Sequence, residues 1–155
     1  MRVIAQTAIE FRARSVSAIG IFDSGLGGLT VARAIQRRLP NESLVYLGDT
    51  ARVPYGTRSA QTVLRYARAC GRRLREYDTK LLVVACNTVS AVALDLLRVE
   101  LDIPVLGVIR PGALSGVAAS KLGRVGVLAT AGTVASGAYP REIASIDSRV
   151  EVHVH

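Results

Sequence analysis

The chain has 155 residues, half of them hydrophobic and about a fifth charged, with a net charge of +8. That length suits one ordinary domain able to bury roughly 70% of its unfolded surface, and the composition excludes a disordered chain. No apolar run reaches the roughly 18 residues a transmembrane helix needs, so no membrane partner is expected.

Residues 1–17 are mixed, with Glu10, Arg12 and Arg14 and no continuous apolar block, which makes a poor secretory signal. A flexible leader, or the product of an upstream start codon, is preferred over an organelle transit peptide. From residue 18 onward, short apolar runs alternate with amphipathic stretches. Residues 18–22 read as a strand, and 29–39 as a helix with Val31, Ile35 and Leu39 on one face. A strand is expected at 44–47 and a long helix at 59–77. On that helix Val63, Ala67, Cys70, Leu74 and Tyr77 share one stripe, and Arg65, Arg68, Arg72 and Arg75 lie opposite. The four arginines read as a solvated face. A nucleic-acid surface is disfavoured, since no interleaved aromatic platform supports it and the chain has only two phenylalanines and five tyrosines.

Residues 81–85 are wholly apolar, as in a strand covered on both faces. A helix is expected at 89–101, a strand at 105–108, a helix at 113–121, a strand at 125–128, a helix at 133–146 and a last strand at 150–154. This β-α alternation predicts an α/β fold, a mostly parallel sheet with helices on both faces. Two units are expected: an α/β domain over 18–105 and the beginning of a second, incomplete one over 106–155.

In such a sheet, ligands bind at the carboxyl ends of the strands. Those ends carry Asp23-Ser24-Gly25-Leu26-Gly27-Gly28, Gly48-Asp49-Thr50 with Pro54-Tyr55-Gly56, Cys86-Asn87-Thr88, Arg110-Pro111-Gly112 and Thr130-Ala131-Gly132-Thr133. So many hydroxyl, amide and carboxylate groups suit a small polar ligand. A dinucleotide is disfavoured. Its fingerprint needs a glycine at position 30, where Thr30 stands, and Asp23 would repel a pyrophosphate. Two cysteines are too few for a disulfide framework, and neither CxxC nor clustered histidines mark a metal site. Cys70 reads as a buried core residue. Cys86 closes a strand just before a helix whose first amides favour an anion. It is a candidate for either nucleophilic attack or proton abstraction.

These strings resemble the glutamate racemase family: Ile19-Gly20-Ile21-Phe22-Asp23-Ser24-Gly25-Leu26-Gly27-Gly28-Leu29-Thr30, Leu47-Gly48-Asp49-Thr50, Pro54-Tyr55-Gly56, Val84-Ala85-Cys86-Asn87-Thr88, Ile103-Pro104-Val105-Leu106-Gly107-Val108-Ile109 and Ser136-Gly137-Ala138-Tyr139. They keep order and spacing from about 18 to 146. The resemblance implies cofactor-independent interconversion of L- and D-glutamate for peptidoglycan synthesis, in the cytoplasm, by a homodimer. Two cysteines would flank the substrate α-carbon, one removing the proton and the other supplying one to the opposite face. Cys86 matches the first cysteine and Asp23 the assisting aspartate. Ser24, Tyr55, Gly56, Asn87 and Thr88 match substrate-binding positions, as do Thr130 and Thr133 near the substrate carboxylates. The family's second cysteine lies in a Gly-Cys-Thr-His motif that these 155 residues do not contain. The expectation is therefore a chain inactive as a racemase unless completed, or else a non-catalytic module that binds an amino acid or a partner.

Overall fold

The computed structural model describes residues 7–11 and 17–155. One sheet has five strands: β1 (Thr7–Phe11), β2 (Ala18–Asp23), β3 (Leu44–Gly48), β4 (Thr79–Val84) and β5 (Val105–Gly107), in the order β1-β3-β2-β4-β5. The contacts β3-β2, β2-β4 and β4-β5 are parallel, and β1 is antiparallel to β3. The leader expectation is corrected here. Residues 7–11 pair along the whole of β3, Thr7 opposite Gly48 and Phe11 opposite Leu44, because an outer parallel strand offers a row of unpaired backbone groups. Residues 1–6 and 12–16 lie outside the described residues.

Period-2 alternation divides the core between the two faces. Phe22, Val45, Leu47, Leu82 and Val84 point to one side, and Ile19, Ile21, Leu44 and Tyr46 to the other. Helix α1 (Leu29–Arg38) covers the second face, using Leu29, Val31, Ala32 and Ile35. Leu39, expected on that face, caps the helix and is 45% exposed. Helix α2 (Ala60–Arg75) covers the first face with Val63, Ala67, Cys70 and Leu74, the expected stripe. Ser59 caps it by accepting the Thr62 amide. The expected arginine face is largely paired with the segment just before β5: Arg68 and Arg72 with Glu100, and Arg75 with Asp102.

The helix expected at 89–101 starts earlier and is broken. Helices α3 (Asn87–Val92) and α4 (Leu94–Glu100) meet at Ala93, whose backbone leaves the helical region. Ser90 ties α3 down, donating to the Val84 carbonyl at 2.9 Å and accepting the Val108 amide at 3.3 Å.

Helix α5 (Ile109–Ala119) takes in Arg110-Pro111-Gly112, which the sequence placed in a strand-end loop. Proline is tolerated there because the first helical turn needs no amide donor at that position. A second sheet pairs β6 (Arg124–Val127) and β7 (Glu151–Val154) in parallel. Between them lie α6 (Ala131–Ser136) and α7 (Ala138–Ile146). One helix was expected there; Gly137, at φ +64°, splits it. No described helix is long and apolar enough to cross a membrane.

Candidate active site

The strand order locates the crevice. From β2 the chain moves through α1 to β3 on one side, then through α2 back past β2 to β4 on the other. The direction in which the chain winds across the sheet therefore reverses between β2 and β4. At such a switch point the flanking connections part and leave an opening beyond the carboxyl ends of the strands. Asp23 ends β2 and Cys86 follows β4, with the Ala85 amide bonded to the Phe22 carbonyl at 2.8 Å to hold the two ends level. Both residues are 6% exposed. They line one open cleft of about 490 Å³ together with Ser24, Gly25, Asn87 and Thr88.

Cys86 is the N-cap of α3, and its carbonyl accepts the first helical bond, from Ser90. The first-turn amides of α3 are left without helical partners. The Cys86 thiol donates to Ser24 Oγ at 3.3 Å. Asp23 Oδ2 accepts the Gly25 amide at 3.0 Å and faces the Tyr46 hydroxyl at 3.4 Å. Gly28 presses on this carboxylate from below. A Cβ there would lie 2.6 Å from Asp23 Cβ and 2.9 Å from Ala85 Cβ. Gly28→Ala is therefore expected to displace Asp23 and to cost about 1–3 kcal/mol as overpacking, read as a lower urea midpoint at unchanged slope.

The threonines form a second feature. Thr88 Oγ1 lies 3.0 Å from Thr130 Oγ1, which lies 3.1 Å from Thr133 Oγ1. Gly56 closes against this row, since a Cβ there would stand 2.5 Å from Thr130 Cγ2. Asn87 bridges to a neighbouring cavity of about 440 Å³, which Thr130, Thr133 and Tyr139 also line. Its Oδ1 accepts the Tyr139 hydroxyl at 2.7 Å. The structure thus gathers Asp23, Ser24, Cys86, Asn87 and Thr88 around one cleft, with Gly56, Thr130 and Thr133 at its border.

Tyr55 stands apart from the other predicted residues. Its ring is buried against Phe22 and Tyr66, and its hydroxyl donates to Asp49 Oδ2. Asp49 is fully buried, holds the Arg52 guanidinium at 2.6 Å, and has its second oxygen buried without a partner among the described residues. Cys70 lies beside the same carboxylate, its thiol 3.9 Å from Asp49 Oδ2. Burial first, then the Asp49 charge, push that thiol up to about 12. At pH 8 Cys70 is accordingly neutral as well as covered. Iodoacetamide is expected to modify Cys86 and leave Cys70 intact in the folded protein, as peptide mass mapping would show.

Sequence reasoning missed Tyr46 and the partner of Tyr139. Tyr46 sits in an all-apolar strand, where periodicity marks only core. Tyr139 was visible as part of a family string but not as a partner of Asn87, 52 residues away.

The comparisons with known proteins bear on the family and the fold. The Asp/Glu/hydantoin racemase family profile matches residues 27–154. A glutamate racemase of Geobacter metallireducens is 56% identical over 135 residues, covering 87% of this chain and 50% of the relative. A glutamate racemase from Bacillus anthracis superposes with a TM-score of 0.87 at 45% identity, over 90% of this chain and 53% of that one. A Francisella tularensis glutamate racemase, solved in complex with D-glutamate, gives 0.81 at 40% identity, over 89% and 52%. The chain spans about half the length of the curated relatives it matches.

Proposed function

Because the chain belongs to the Asp/Glu/hydantoin racemase family, we propose that it binds free glutamate in the cleft between Asp23 and Cys86 and removes the α-hydrogen with the Cys86 thiolate. The observation that carries this is the placement of Cys86 and Asp23 at the carboxyl ends of the two strands flanking the switch point, in one cleft.

The chemistry follows from the residues. The C–H bond breaks toward sulfur, its hydrogen ends on Cys86, and the electron pair moves into the substrate carboxylate. Without a cofactor to accept that pair, fixed hydrogen-bond donors must carry the growing charge. The Thr88 and Thr130 hydroxyls, the Asn87 amide and the free first-turn amides of α3 are such donors. Asp23 lines the same cleft as the reacting sulfur and assists the movement of the proton. Inversion needs a second acid on the opposite face of the α-carbon. Cys70 does not supply it, being buried on α2 beside Asp49. The residues present thus perform one half of a two-base racemisation, whose D-glutamate product would enter peptidoglycan synthesis. The same proposal places the protein in the cytoplasm, where unpaired thiols persist.

Binding is tested on the unmodified chain. L-glutamate should slow alkylation of Cys86 by iodoacetamide in proportion to its occupancy of the cleft. Alkylation at the same rate with and without millimolar glutamate would remove the substrate from this site.

A further inference from the structure

Tyr46 has no part in the chemistry above, yet it touches the catalytic turn from beneath. Its ring belongs to the α1-side core and is almost fully buried. Only the hydroxyl reaches upward, to the Gly25 carbonyl at 2.9 Å and to Asp23 Oδ2 at 3.4 Å. The carbonyl can come that close because residue 48 is glycine. A Cβ there would stand 2.3 Å from Gly25 O. The Asp23-Ser24-Gly25 turn therefore rests on β3 at two points, the bare Cα of Gly48 and the phenol of Tyr46.

A phenol has one hydrogen and here two acceptors. It keeps that hydrogen across the accessible pH range, since burial first, and the Asp23 charge next, hold its ionisation well above the usual phenol range. Asp23 Oδ2 is thus held from two sides, by the Gly25 amide of its own turn and by Tyr46 from the neighbouring strand. Ser24, between these anchored residues, is the group that accepts the Cys86 thiol.

We propose that Tyr46 is a positioning residue for the Asp23-Ser24-Gly25 turn: its buried hydroxyl pins Asp23 Oδ2 and the Gly25 carbonyl, so that the carboxylate and Ser24 Oγ keep a fixed place beside Cys86. Its catalytic consequence rests on Cys86 acting as proposed above; the pinning itself does not. A displacement of about an ångström in a reacting group can cost on the order of 10²-fold in rate, and the substrate donors on α3 and at Thr130 are untouched by this contact. Loss of the hydroxyl should therefore act on kcat and leave KM nearly alone.

The test is Tyr46→Phe, which removes one oxygen, in the full chain. Amide hydrogen exchange read by NMR should show the Gly25 amide exchanging about tenfold faster or more, with the amides of β2 and β4 as protected as before. Exchange of the glutamate α-proton in deuterium oxide should fall about 10- to 100-fold in kcat, with KM within about twofold. An unchanged Gly25 amide, or a loss confined to KM, overturns the proposal. If the parent protein shows no α-proton exchange, the functional reading has failed and the Gly25 amide alone decides the role of Tyr46. If Tyr46→Phe does not fold, the parent protein decides it. A slowly exchanging Tyr46 hydroxyl proton with a nuclear Overhauser contact to the Gly25 amide supports the pinning, and a fast-exchanging one overturns it.

Discussion

Cys86→Ser is expected to lower α-proton exchange on glutamate by about 10²–10⁴-fold, the usual worth of a positioned acid–base group. The size of the effect follows from the proposed chemistry, in which the sulfur is the base itself. A free serine hydroxyl is almost never ionised at neutral pH, whereas a free thiol is ionised to a few per cent and is intrinsically more reactive. The replacement should leave the fold intact. Cys86 is a buried member of the α2-side core at the N-cap of α3, but serine is close to it in size, is itself a preferred N-cap and can still meet Ser24 Oγ. NMR of the α-proton, with circular dichroism to verify folding, separates loss of chemistry from loss of structure. A Cys86→Ser chain exchanging at the parent rate would assign the proton transfer to another group.

The largest loss of stability is expected at a residue outside the cleft. Asp49→Ala should lower the free energy of unfolding by about 3–5 kcal/mol, the range for removing one partner of a buried charge pair. Asp49 is fully buried and joins three side chains at once. It takes the Tyr55 hydroxyl and the Arg52 guanidinium from the loop after β3, and it faces the Cys70 thiol on α2. Arg52 in turn lies over the Tyr66 ring, its guanidinium carbon 4.4 Å from the ring centre. Without Asp49 the Tyr55 hydroxyl is left buried and unpaired and Arg52 loses its anion. Both costs fall on the loop that carries Gly56 to Thr130. Chemical denaturation gives the number, and the same variant should weaken glutamate binding because Gly56 walls the threonine row. A midpoint unchanged within error would mean the loop is held by packing alone.

How far the sequence foretold this structure differs from element to element. The strands read at 18–22, 44–47 and 81–85 were legible because each is an unbroken apolar run; the structure places them at Ala18–Asp23, Leu44–Gly48 and Thr79–Val84, the last starting two polar residues earlier. With the strands came the sheet edge where Asp23, Cys86, Asn87 and Thr88 meet. The stripe of α2 was readable from its 3.6-residue period. What stayed hidden depends on contacts far apart in the chain. Residues 7–11 carry no strong strand signal, and only the open edge of β3 recruits them. The break at Ala93 leaves no mark in composition. Gly137 does mark its break, but a lone glycine in a helical pattern is ambiguous until its positive φ is seen. Tyr55 matched a binding motif by its position, yet its side chain turns inward because Asp49, buried six residues earlier, needs a donor. The tie of Tyr46 to Asp23 spans 23 residues and two strands, a register that no local pattern encodes.

The central claim is that sulfur at position 86 meets the α-hydrogen of glutamate. It is tested most directly by incubating the unmodified chain with L-glutamate in deuterium oxide, following the α-proton by NMR and the configuration by chiral chromatography. The account predicts that the α-proton signal fades while the amino acid stays L, because Cys86 is proposed as the base on one face of the carbon and Cys70, buried beside Asp49, does not serve the other. A signal that persists at full intensity, under conditions where glutamate shields Cys86 from alkylation, would contradict it.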